Sequence, residues 1–210
     1  MHSRGFTMIE LLVVITISAI LVATAIPSFQ WFIARNRASN ASNDLLAALQ
    51  LARAEAIRRG APVSVCRTLN PNAVDSKSVP KLECSGTAGA PYGENDWGSG
   101  YITFAKVGGT TNAQLEDNDV VLRRQQPTRV GALHAFIVSN LGADEVISFN
   151  GNGFMQATPA IPGATPTFAI DYRKTSDTGV ENNMTGAGRC VAMAAGTGRS
   201  AAKLPSGGKC

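Results

Sequence analysis

The stretch Arg4-Gly5-Phe6-Thr7-Met8-Ile9-Glu10-Leu11-Leu12-Val13-Val14-Ile15 decides how the whole chain is read. Between Phe6 and Pro27 the only ionisable residue is Glu10, set in an otherwise apolar or small-residue run that closes on Ala25-Ile26. A run of about 20 such residues is long enough to cross a bilayer as a helix. A membrane segment therefore stands at the amino terminus.

A secretory signal peptide orders its parts differently: a basic start, an apolar core of about 7 to 15 residues, then a small-residue cleavage site. Here the apolar stretch is longer, carries a carboxylate near its start, and follows Gly5. The short leader Met1-His2-Ser3-Arg4-Gly5, with Phe6-Thr7-Met8-Ile9-Glu10 after it, resembles the class III leader of type IV pilins and pseudopilins. The resemblance implies that a prepilin peptidase cuts between Gly5 and Phe6 and N-methylates Phe6. It also implies a role for Glu10, since in pilins the matching glutamate meets the positively charged amino terminus of a neighbouring subunit, here the amine of Phe6. Elementary energetics agrees: a carboxylate within a bilayer costs about 3 kcal/mol on insertion scales, so it persists only with a partner or a function. Pro27 matches a proline common in pilins, where the missing N–H and the ring clash bend the helix.

From Ser28 to Arg59 there is no proline or glycine, and Leu45, Ala48, Leu49, Ala52 and Ala56 recur at helical spacing. With Phe29, Phe32 and Ile33 at its start, this segment continues the membrane helix as an amphipathic one. Its opposite face holds Arg35, Arg37, Asp44, Arg53 and Arg58, and Gly60 with Pro62 ends it. Arg58 and Arg59 read as a basic last turn that complements the helix dipole.

After Gly60 the composition shifts to Gly, Pro, Ser, Thr and Asn, the mark of a β-rich head. At 210 residues the chain has room for one globular unit beyond the anchor, with about 150 to 170 residues to bury a core. Val63 and Val65 suit a strand leaving the helix, and residues 68–95 read as a long loop. Residues 97–104 alternate large and small as a half-buried strand, with Trp97 and Tyr101 packing in the core. Further strands are expected near residues 120–123, 135–139, 145–149, 167–172 and 189–193, the last preceding a tail. A hairpin is expected around Asn150-Gly151.

The run from Asn43 to Gly60, with its Leu51-Ala52-Arg53-Ala54-Glu55-Ala56 core, followed by Pro62-Val63-Ser64-Val65-Cys66, resembles the GspH/FimT group of minor pilins and pseudopilins. The Trp97-Gly98 strand and the Asn150-Gly151 hairpin also have counterparts in that group. Fold class follows: α+β, type IV pilin-like, with a leader at 1–5, a transmembrane or filament-core helix at 6–27, an amphipathic helix at 28–60 and a β-rich globular head at 61–210.

Cys66, Cys84, Cys190 and Cys210 all lie in the part that would be exported, where an even count favours disulfides. Three pairings are formally open; Cys66 with Cys84 and Cys190 with Cys210 each close a short local loop. With no Cys-x-x-Cys and only His134 outside the leader, a metal site is not expected, and neither is a cofactor. No phosphate-cradling glycine loop or nucleophile elbow is present, which argues against an enzyme.

The formal net charge is +4, and from Met184 onward Arg189, Arg199, Lys203 and Lys209 stand with no acidic side chain. In FimT-like pilins linked to natural transformation, a carboxy-terminal glycine-arginine-x-arginine motif is associated with DNA. Gly198 and Arg199 match it, whereas Ala201 stands where the second arginine would be, leaving Lys203 or Arg189 to supply the charge. The resemblance implies an inner-membrane anchor with a periplasmic head, partnership with other pilins through the amino-terminal helix, and a role in starting or capping a type IV pilus. Its alternatives are a GspH-type pseudopilin of a type II secretion system and a DNA receptor for transformation.

Overall fold

The computed structural model describes residues 7–68, 71–72, 82, 84, 96–107, 115–127, 133–140, 146–158, 165–174, 186–194 and 196–210. Gly5, Phe6 and most of the 68–95 segment lie outside them.

One helix, α1 (Met8–Arg59), runs 52 residues. Thr7 caps its start in extended conformation, its hydroxyl accepting from the Glu10 N–H at 3.3 Å, which satisfies one of the orphan donors of the first turn. Gly60 closes its end in the left-handed region at φ 60°, as expected of a C-cap glycine. In the last turn Glu55 accepts from Arg58 and Arg59, so the hydrogen bonds of those two guanidiniums hold its carboxyl well below the usual range, at about 2. The helix runs as one element across Pro27; the side chains of residues 26–28 are outside the description.

The head is two antiparallel sheets wrapped on the second half of α1. The first contains β1 (Val63–Arg67), β2 (Tyr101–Ala105), β3 (Val120–Gln125), β5 (Val146–Phe149) and β6 (Met155–Thr158), in the order β3-β2-β1-β5-β6. The second contains β4 (Leu133–Ser139), β7 (Thr167–Lys174), β8 (Arg189–Met193) and β9 (Ser200–Lys203), in the order β4-β7-β8-β9. Strand parity explains the core. Val63, Val65, Tyr101, Ile147 and Phe149 of the first sheet, with Ile137, Phe168, Ile170 and Val191 of the second, close on Ala38, Ala41, Leu45, Ala48, Leu49, Ala52 and Ala56. Small alanines on that helical stripe let both sheets approach the axis closely.

The opposite face of the first sheet carries Cys66, Ile102, Phe104 and Val146, covered by Leu82, Cys84 and Leu115. Apolar residues on both faces account for strands β1, β2 and β5 being buried throughout rather than alternately. The disulfide Cys66–Cys84 ties the covering segment to β1. A second, Cys190–Cys210, ties the chain terminus to β8.

Two expectations need correction. Trp97-Gly98-Ser99 is a single 3-10 turn, and the strand starts only at Tyr101. The cause is Asp96, whose buried carboxylate accepts from the N–H groups of Gly98 and Ile137, both at 2.8 Å, capturing the turn and bracing β4 against it. Trp97 still packs in the core, edge-on to Phe168 at 5.2 Å between centroids. The second correction is β9, which pairs with β8 where a tail was expected. The hairpin around Asn150 is present, with a wide turn in place of a two-residue Asn-Gly loop. Asn150 Oδ1 accepts from Asn152 and Phe154, both at 3.0 Å. Gly151 lies so close to the helix cap that a Cβ there would come within 2.6 Å of the Gly60 carbonyl carbon.

Candidate assembly helix and carboxy-terminal surface

Among the described residues, nothing packs on the first third of α1. Met8, Ile9, Leu11, Leu12, Val13, Val14, Ile15, Ile17, Ile20, Leu21 and Val22 are all exposed, and none of the most apolar window is buried. In water that surface would be untenable; in a bilayer or a bundle of like helices it is the surface that packs. The hydroxyls along it are satisfied within the helix: Thr16 donates to the Val13 carbonyl at 2.8 Å, Ser18 to Val14 at 2.7 Å and Thr24 to Leu21 at 2.9 Å. Lipid demands this, since no water is present to take those bonds. Glu10 is exposed in the first turn, the one acidic group of the span.

The helix is fastened to the head at its lower end by Arg37. Its guanidinium donates to the Tyr172 hydroxyl at 2.5 Å and lies 5.2 Å from that ring's centroid. Sequence reasoning missed this latch, because 135 residues separate the two partners.

The carboxy-terminal cations are not one cluster. In the β8–β9 register Lys203 lies across from Cys190 and Ser200 across from Met193. Arg199 closes the turn at the other end, accepting at its carbonyl from the Ala194 N–H at 2.8 Å. Four residues of extended chain, about 13 Å, separate Arg199 from Lys203. Arg189 is one residue from Cys190, so strand parity sends it to the opposite face of the sheet from Lys203. Its guanidinium is engaged with its own turn, donating to the carbonyls of Gly188 at 2.7 Å and Ala187 at 3.3 Å.

Gly198 is required where it stands. Its φ is 66°, and a Cβ would come within 2.6 Å of the Phe149 ring, so the β8–β9 turn nests against the β5–β6 hairpin. A Gly196 carbonyl accepting from the Met155 N–H at 2.9 Å joins the two sheets there. The glycine of the Gly198-Arg199 pair thus has a packing explanation within this fold. Among the described residues no group of three or more His, Cys, Asp or Glu could hold a metal ion.

Residues 41–196 match the family model described as type II transport protein GspH. The chain belongs to the GspH family. Residues 1–26 match the prokaryotic N-terminal methylation motif, which fits the apolar helix of a membrane-anchored pilin. GspH-family membership with that motif implies association with other pilins and processing by a prepilin peptidase. The fold, one long amino-terminal helix on antiparallel sheets, is type IV pilin-like. Two solved structures of the type IV minor pilin FimU of Pseudomonas aeruginosa (strain PAO1) are similar to this GspH-family chain. The P21 form has 23% identity and a TM-score of 0.45 over 83% of this chain and 92% of that one. The P65 form has 21% identity and a TM-score of 0.42 over 79% and 91%. No curated protein matches.

Proposed function

We propose that this chain is a minor pilin that helps start or cap a type IV pilus-like filament, its role structural rather than catalytic. The observation that carries the reading is the membrane-length apolar helix, bare on all sides, with its single carboxylate in the first turn. Before assembly the helix anchors the chain in the inner membrane with the head on the periplasmic side. During assembly the same surface packs on neighbouring helices, and Glu10 pairs with the amine of a partner's Phe6. That pairing gives each incoming subunit a fixed axial register, because an unpaired carboxylate at that depth costs about 3 kcal/mol. Pro27, which has no N–H to continue the ladder, lets the helix bend between span and head.

Glu10→Ala tests this. The variant should stay in the membrane, since it removes a charge from an apolar span, yet be missing from sheared filaments. Normal incorporation would overturn the pairing.

The family's description, a type II transport protein, supports a second reading as a secretion-system pseudopilin. Deleting the gene separates the two: loss of surface pili with normal secretion supports the first, and the reverse supports the second.

A further inference from the structure

Between the bare span and the buried part of α1 lies a short zone that belongs to neither. Phe29, Trp31 and Phe32 are exposed by 63%, 50% and 57%; Ala34 is the first side chain packed in part against the head, and full burial begins only at Ala38. One turn above Trp31, the Arg35 guanidinium lies 5.5 Å from the centroid of its ring. Among the described residues no carboxylate pairs with Arg35, and the sequence has no acidic residue between Glu10 and Asp44. Arg37, two residues on, is taken by Tyr172. A Cβ at Gly186 would lie 4.0 Å from Trp31, so the end of the head stands beside this ring.

We propose that Phe29, Trp31, Phe32 and Arg35 form a collar that seats in the headgroup layer of the leaflet nearest the head, with Arg35 bonded to lipid phosphate. Three arguments support it, and all rest on the anchor reading above. The first is length. From Met8 to Trp31 is about 35 Å of helix, whereas the hydrocarbon core is about 30 Å thick, so a span beginning at Met8 carries Trp31 just past its far edge.

The second is angular spread. Phe29 and Trp31 point about 160° apart around the axis and Phe32 falls between them, so no single flat protein surface covers all three, whereas a bilayer surrounds them. Aromatic rings at this level place their apolar bodies against the acyl chains and their polar edges in the headgroups. The third is charge. A guanidinium with no carboxylate partner among the described residues, stacked on an interfacial indole, presents its N–H fork to a pair of anionic oxygens, and the two non-bridging oxygens of a lipid phosphate are that pair in this layer. The collar would fix how deep the helix sits and hold the head against the membrane, from which assembly must lift it.

The test uses the full chain reconstituted in vesicles of phosphatidylcholine with phosphatidylglycerol, some carrying acyl chains brominated near the headgroup and others near the bilayer centre. Trp97 is buried in the head and gives a background that a Trp31→Phe variant measures. The Trp31 signal should be blue-shifted relative to water and quenched more by the shallow bromines than by the deep ones. Arg35→Ala should move quenching toward the deep bromines, and Arg35→Lys should restore the shallow pattern. Trp31 unquenched in a chain that resists carbonate extraction would overturn the collar and leave these rings to a protein neighbour. An Arg35→Ala profile identical to wild type would overturn the phosphate contact. A chain that carbonate extracts would overturn the anchor reading itself, a distinct result.

Discussion

The two disulfides close loops of nearly equal size, which makes their comparison a clean test of what each segment contributes beyond loop closure. With sequence separations of 18 and 20, the chain-entropy relation gives about 3 kcal/mol for each at 25 °C, differing by less than ~0.1. The native surroundings differ much more. Releasing Cys84 frees the segment carrying Leu82, which covers Cys66, Ile102, Phe104 and Val146. Uncovering one leucine adds about 1.5 to 3 kcal/mol. Releasing Cys210 frees a terminus whose side chains from Ala201 to Leu204 are already exposed. The double variant Cys66→Ala with Cys84→Ala should therefore lose about 5 kcal/mol, and Cys190→Ala with Cys210→Ala about 3. A soluble fragment spanning residues 28–210, unfolded in guanidinium and followed by near-ultraviolet circular dichroism, measures both. The first loss is comparable to the whole stability of many domains, so that variant should be close to unfolded. Equal losses, or a larger loss from the carboxy-terminal pair, would refute the assignment of Leu82 and Cys84 as a cover for the second core.

Processing at Gly5 predicts a mature chain that begins at Phe6 and carries one methyl group there, which amino-terminal sequencing and the mass of the amino-terminal peptide decide; cleavage after Ala23 or Ala25 would remove the filament reading. Glu55 sits at about 2 because Arg58 and then Arg59 bond its charged form. A depressed folded value means that its contribution to the helix end is complete above about 4.5 and fades as pH falls toward 2. A carboxyl titration by NMR with its midpoint near 4.5 would contradict this. Because the register holds Arg199 about 13 Å from Lys203, duplex DNA titrated onto the head should bind weakly and without sequence preference, with a log–log salt slope no steeper than about −3; a slope near −5 would mean that these cations converge after all.

How much of this could be read from the residues depends on whether the signal is local. The helix is legible because its period, its stop at Gly60 and its apolar run are all properties of adjacent residues. Strands such as Val146–Phe149 and Thr167–Lys174 declare themselves through β-branched and aromatic residues. Ser200-Ala201-Ala202-Lys203 does not: alanine and serine are weak strand formers, and it becomes a strand because the tight turn before it and the Cys190–Cys210 bond after it hold it against β8. Trp97-Gly98-Ser99 fails in the opposite sense, since its strand-like pattern yields to a carboxylate one residue upstream.

The same division runs through the functional residues. Glu10 is legible because a charge in an apolar span is improbable without a use. The relation among Arg189, Arg199 and Lys203 is not, because strand register and parity decide it, and a one-residue slip would have put Arg189 and Lys203 on the same face. The collar lies between these cases. Its aromatics and Arg35 are visible in the sequence, but their meaning comes from where the head stops. Had packing against the head begun at Phe29, these residues would be core; because it begins in part at Ala34 and is complete only at Ala38, they are left at the height where a bilayer ends.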